Sequence, residues 1–362
     1  MQSIYACKQN EESDFNIALE KMSEDFRMEL NLVGKHEKVR IDREKELAIA
    51  LFKSRVPAYE QTDAPEEEIP EKAIEFADAA HSFFRSRKSK NLQIQKKRML
   101  EETEALYIRF LKLLKLLTDM PKMDNITGIT NNQALACLQN SLEWQAISKK
   151  HDLEWEAGIA RQWLRMLKKD TELLAQLVPE ERRFETDRNG LRMVIRDFLF
   201  KNEVVLSWFE EEDLKWSENK AILKSLLINT VKNIDQENAE LSPVSALSRN
   251  WEDDRDFMLK LYDLYFNTEL ENEVLVAEKS EKWAADRIAV LDKILIKMAI
   301  NEMVNFPNIP VKVTINEYID ISKTYSTPKS WKFINGMLDE ISRQLTEQGT
   351  IRKSGRGLID NK

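Results

Sequence analysis

Glycine is scarce in this chain: 8 in 362 residues, alongside 9 prolines. Strand-rich folds need far more turn punctuation than that, so the composition points to an all-α protein. Cysteine and histidine are scarcer still. Cys7 and Cys137, with His36, His81 and His151, fall without the close spacing that a zinc site or a disulfide framework requires. Neither a metal site nor a disulfide is expected. No apolar run approaches the roughly 18 uncharged residues of a spanning helix. The opening MQSIYACKQNEES has no basic stretch leading into an apolar one. These absences predict a cytoplasmic protein with no membrane partner. Glycine-rich phosphate loops and the GxSxG nucleophile turn are also missing. With 63 Asp and Glu, paired carboxylates are weak signs of acid–base chemistry, since helix surfaces place many of them one turn apart. Binding is favoured over catalysis, with no cofactor.

What the chain does have is charge, 33% of its residues, and an apolar fraction of 42% arranged at helical spacing. The net charge of −8 argues against coating a nucleic acid or an anionic membrane by bulk attraction, so any nucleic-acid site must be local. VPAYEQTDAPEEEIPEK, residues 56–72, reads as an exposed linker, and DMPKMDNITGITNN and VPEERRFETDRNG as two further boundaries. RSRKSKNLQIQKKR, residues 85–98, is a basic cluster that reads either as a solvated helix surface or as a nucleic-acid contact. The Trp and Phe residues that follow Leu191 at three- and four-residue spacing read as core rather than a cofactor box.

Punctuation is fullest between residues 283 and 340. ADRIAVLDKILIKMAINEMV is apolar nearly all round and reads as a central helix, with Glu302 intruding on an apolar face. Thr314 and Glu317 are spaced as a capping box, with Val313 and Tyr318 as its hydrophobic staple. Thr327 and Pro328 read as the cap and first residue of the next helix. On that helix KSWKFINGMLDE turns Trp331, Ile334, Leu338, Ile341 and Leu345 inward. Lys329, Lys332, Gly336, Asp339 and Arg343 turn outward, and Phe333 sits at the edge of that outer face. A glycine there exposes backbone and costs about 1 kcal/mol against alanine. An aromatic beside two lysines at a helix start suits a stacked RNA base and its phosphate. The plainer reading is that Gly336 admits a crossing helix and Phe333 covers a small apolar cluster.

IPVKVTINEYIDISK and KFINGMLD, in this order and spacing, resemble the C-terminal half of the NusB family of bacterial transcription antitermination factors. Weaker similarity reaches back to Leu191, where WFEEEDLKWSENK resembles the long forms of the Bacteroidetes, and MQSIYACKQNEES resembles the end of the family's first helix. The resemblance implies two packed helical subdomains that bind boxA RNA together with NusE, a ribosomal small-subunit protein, within the transcription elongation complex. It implies no catalysis. Matched residue by residue, Tyr5 and Phe333 take the places of RNA-contacting aromatics. Lys329 stands where some members carry an acid that modulates RNA binding. Asp292 and Lys293 match a charged pair near the RNA and partner surface, and Glu302 a structural glutamate.

The family's arginine-rich lead into Tyr5 is not in this sequence. Its absence implies either a start upstream of Met1, or an RNA affinity that is reduced or relocated to Lys88 and its neighbours. The expected organisation is therefore a NusB-like first helix beginning at 1–20, a helical extension over 21–185, a NusB-like domain over 186–348 and a disordered tail over 349–362. Two other readings stay open: a helical protein-interaction scaffold without RNA binding, and an RNA-modifying enzyme carrying a NusB-like accessory domain.

Overall fold

The computed structural model describes residues 1–31, 34–56, 65, 68–123, 129–155, 157–280 and 288–361. Most of the expected 56–72 linker and part of the 119–132 loop lie outside the described residues. Among the described residues there are fifteen α-helices and no strand, and no helix is long and apolar enough to cross a membrane. The chain divides into two compact units, residues 1–99 with 255–362, and residues 100–254.

The first unit contains two cores. One is a helical arm made of α1 (Gln2–Leu30), α2 (Lys35–Ser54) and the first part of α3 (Glu71–Met123). Ala18, Ala48, Ala73 and Ala77 are fully buried there, and their small side chains let the helix backbones approach. Phe15 stacks on Phe52 at 5.2 Å, and Phe84 sets its edge against both rings, the offset and edge geometries that ring quadrupoles favour. Buried carboxylates on α1 draw cations from α3: Arg87 donates to Asp14 at 2.5 Å, and Lys88 pairs with Glu11. Lys96 is likewise bound to Asp263. The 85–98 cluster therefore spends Arg87, Lys88 and Lys96 on ion pairs within the chain. Phosphate contacts moved to Lys88 would take from the buried Glu11 one of its two cations, the other being Lys8 at 3.1 Å.

The other core of this unit is a bundle built on α11 (Trp251–Asn267), α12 (Glu269–Ser280), α13 (Val290–Asn305), α14 (Val311–Tyr325) and α15 (Ser330–Glu347). Every residue from Ile294 to Met303 is buried, so α13 is the central helix that its all-round apolarity predicts. Ile4 and Cys7 of α1 belong to the same apolar cluster as Ile334 and Leu338 of α15. Burying Glu302 among these residues requires hydrogen-bond donors. Thr314 Oγ1 donates to its Oε1 at 2.8 Å and the Tyr318 hydroxyl to its Oε2 at 3.1 Å.

That demand overrides the expected cap. α14 starts at Val311 after an extended Pro310, which leaves Thr314 inside the helix serving Glu302, and no Thr314–Glu317 capping box forms. The next helix also starts later than expected. Ser330 N–H donates to the Thr327 carbonyl and Lys332 N–H to that of Lys329, a tight turn that holds Pro328 ahead of a helix beginning at Ser330. The C-terminal segment is folded rather than disordered. Ile351 is buried, Ser354 N–H donates to the Pro307 carbonyl, and a Cβ on Gly357 would lie 2.0 Å from that same oxygen. This close approach explains one of the late glycines.

The second unit holds the rest of α3, then α4 (Gln133–Asn140), α5 (Leu142–Lys150), α6 (Ala157–Lys169), α7 (Thr171–Leu177), α8 (Phe184–Met193), α9 (Glu203–Glu212) and α10 (Trp216–Lys232). Gly190 belongs to a segment that reads as a boundary loop, yet it lies inside α8. A Cβ there would come within 2.3 Å of the Gln176 carbonyl, so glycine is what lets α8 cross the end of α7. The aromatic run does pack as core: Phe209 stacks on Trp216 at 4.3 Å, and Trp216 on Phe200 at 5.8 Å.

Candidate nucleic-acid interface

The start of α15 is built by a hydroxyl network. Asp292, on α13, accepts a hydrogen bond from Ser326 Oγ, Ser330 Oγ lies 3.0 Å from the same Ser326 oxygen, and Thr327 Oγ1 bonds the Ser330 hydroxyl. These bonds fix the turn between α14 and α15 and so aim the α15 N-terminus. Asp292 is 4% exposed and its carboxylate is spent on this turn. It is therefore a support beneath the surface, whereas the resemblance puts it in a charged pair near the RNA and partner surface.

From this turn α15 presents Lys329 and Lys332 to solvent, with Phe333 half-buried between them and the core. The first turn holds no acid, and Lys329 at the cap position makes no side-chain cap. Two cations at the positive end of a helix dipole cost roughly 0.3–1 kcal/mol each. Together with the helix amides they form a local positive field in a chain whose net charge is negative.

Trp331 packs against the core, as its inward position predicts, and also reaches this surface. It is half-buried, and the ammonium groups of Lys323 and Lys332 lie 5.7 and 5.4 Å from its ring centre, within cation–π range. Sequence reasoning misses Lys323. The signal lies in its position, in the last turn of α14 just ahead of the Ser-Thr-Pro turn that folds α15 back beside it.

Gly336 has nothing within 4 Å of where a Cβ would stand. No helix crosses there, so the packing explanation for this glycine fails. Asp339 is exposed one turn on, 3.4 Å from Asn335 Nδ2. Tyr5 is 41% exposed on α1, next to the buried Ile4 that ties α1 into the bundle. Lys293 is directed to Glu273, with 3.4 Å between Nζ and Oε1. The structure thus gathers Lys329, Lys332, Phe333, Gly336 and Asp339 on one helix, keeps Tyr5 exposed on another, and separates off Asp292 and Lys293. Among the described residues no three His, Cys, Asp or Glu side chains converge as a metal site.

Fold and surface together define an all-helical protein that offers rings and ammonium groups at a helix start. Residues 218–343 match the NusB family. The chain is 36% identical over 138 residues to the transcription antitermination protein NusB of Salinibacter ruber, a stretch that is 38% of this chain and 86% of that protein. It is 40% identical over 106 residues to the NusB of Chloroherpeton thalassium, 29% of this chain and 50% of that protein. Against the NusB of Dictyoglomus turgidum it is 38% identical over 106 residues, covering 70% of that protein. The match thus spans about half the length of the Chloroherpeton relative and most of the other two. No solved structure matches. The chain belongs to the NusB family.

Proposed function

We propose that this chain is a cytoplasmic, non-catalytic transcription antitermination factor that binds single-stranded boxA RNA together with NusE during ribosomal RNA transcription. One observation carries the reading: the family match spans α13 to α15 up to Arg343, and within it the lysines, rings and open glycine at the α15 start form a local positive, ring-bearing surface. Phe333 and Trp331 supply faces on which bases stack, Lys329 and Lys332 supply phosphate contacts, and Gly336 leaves the helix backbone open to close approach. Tyr5 adds a ring from α1, while Asp339 and Lys293 contribute to a surface shared by the RNA and the partner. Salt-sensitive binding that NusE strengthens is the expected signature.

Fluorescence anisotropy of boxA RNA at two salt concentrations, with and without NusE, tests the reading. Phe333→Ala should weaken binding by about tenfold, the loss expected for one stacked base. If NusE changes neither the affinity nor the size of the complex, the reading fails. The net charge of −8 favours a second reading, a protein-interaction scaffold without RNA binding. Full-length chain that captures NusE yet leaves boxA RNA unbound would select it.

A further inference from the structure

Residues 100–254 hold 21 Lys and Arg against 28 Asp and Glu, so seven of the chain's eight net negative charges sit in the second unit. On that unit lies a cleft of about 330 Å³ lined by Trp155, Trp208 and Phe209, with the exposed Glu154 and Glu212 and the half-buried Lys112 beside them, the two acids outnumbering that lysine. The rings form one cluster. Trp155 and Trp208 are 5.5 Å apart, Trp208 and Phe209 5.0 Å, and Trp163 backs both tryptophans at 5.3 Å.

The polar edge of Trp155 is already used, because its indole N–H donates to the Lys112 carbonyl at 2.7 Å. What it offers a ligand is its π face. Arg109, the guanidinium lining the cleft, is bound to Asp213 at 2.8 Å. The acids are placed where a helix alone does not want them. Glu210, Glu211 and Glu212 end α9 at the negative end of its dipole, an arrangement that a bound cation relieves. Beside them Leu214 is 95% exposed, a large apolar side chain with nothing covering it.

We infer that this cleft docks a basic segment of a partner protein, seating a lysine or arginine side chain against Trp155 and Trp208 between Glu154 and Glu212, with Leu214 covered by an apolar neighbour in the same segment. A ring face attracts a cation, the acids hold its charge, and the unit's net charge draws a basic chain from a distance. The same charge repels phosphate, which separates this site from the RNA-binding reading and makes it independent of that reading.

The test titrates the full chain with a fluorescein-labelled, capped hexa-arginine peptide. Binding should weaken with salt, and the double variant Glu154→Gln/Glu212→Gln should weaken it by about tenfold. Glu237→Gln/Glu240→Gln, which removes the same charge elsewhere on the unit, should leave affinity within about twofold. Trp208→Leu should weaken binding while Glu154→Gln/Glu212→Gln, confined to exposed side chains, guards against mistaking unfolding for lost recognition. Equal losses in the two glutamine pairs would mean diffuse attraction and overturn the site. So would failure of the peptide to bind.

Discussion

Two places where this chain presents partly exposed tryptophans have opposite surroundings. Trp331, at the α15 start, lies between Lys323 and Lys332. Trp155 and Trp208, in the second unit, share a cleft with Glu154 and Glu212. An indole face stacks on a base or attracts a cation with little preference of its own, so the charge around the ring selects the ligand. Net charge, averaged over the chain, hides this. The acidic excess belongs almost wholly to residues 100–254, and the unit bearing the α15 surface is close to neutral.

The strongest way to break the comparison is to reverse the charge around one ring and leave the other alone. Lys329→Glu/Lys332→Glu should lower boxA RNA affinity by about 30-fold and flatten its dependence on salt, since two phosphate contacts are lost. Binding of the hexa-arginine peptide to the second unit should not change. If RNA affinity survives the reversal, the phosphate contacts lie elsewhere and the α15 start is not the interface.

Asp292 tests whether the basic surface depends on the turn beneath it. Asp292→Ala removes the charged acceptor of the half-buried Ser326 hydroxyl and loosens the network that fixes the turn, which should cost about 2 kcal/mol in a denaturant titration. RNA binding should weaken in the folded protein as α15 loses its aim, and Asp292→Asn should recover most of both losses because its amide oxygen still accepts. Peptide binding should again be untouched. An Asp292→Asn variant that remains as defective as Ala would mean that the charge itself acts, as the sequence resemblance implies.

How much of this is legible in the sequence depends on what each residue answers to. The inward face of α15 is readable, because Ile334, Leu338, Ile341 and Leu345 follow the helical period and their burial needs nothing from outside the helix. Thr314 misleads, because its hydroxyl has two uses. Local sequence favours a cap, whereas the structure needs a donor for a buried carboxylate twelve residues earlier in the chain. Gly190 and Gly357 read as loop and tail because glycine signals freedom locally, yet each is set by a distant carbonyl that a Cβ would strike. Asp292 follows the same rule: the resemblance puts it near the surface, while its partner lies 34 positions away. The second-unit cleft is invisible in the pattern, since Trp155 and Trp208 come from separate segments and spacing records them only as apolar.

A pH titration separates the core that carries the α15 surface from the second unit. Burial pushes the Glu302 carboxyl above its ordinary range, even though Thr314 and Tyr318 donate to it. A raised folded pKa contributes stability that is fully present below the unfolded value and is lost as pH rises through the folded one. Hydrogen-exchange protection of α13 and α14 should therefore fall across that window, with a slope of at most about 1.4 kcal/mol per pH step of one. Helices of the second unit should not follow. Glu302→Gln should abolish the pH dependence, and a dependence that persists in that variant would place its origin in another group.

Gly336 gives the smallest effect and the finest distinction. The space beyond its backbone is open and its conformation is helical, so Gly336→Ala should stabilise the protein by about 0.5 kcal/mol or slightly more. A residue that costs stability and packs against nothing in its own chain is best explained by something that arrives from outside. If RNA lies close to the α15 backbone, the added methyl should weaken boxA binding severalfold while raising the melting temperature, two changes of opposite sign in one variant. If the melting temperature rises and RNA affinity holds, the bases stack on Phe333 and Trp331 without reaching the next turn, and the contact surface ends before Gly336.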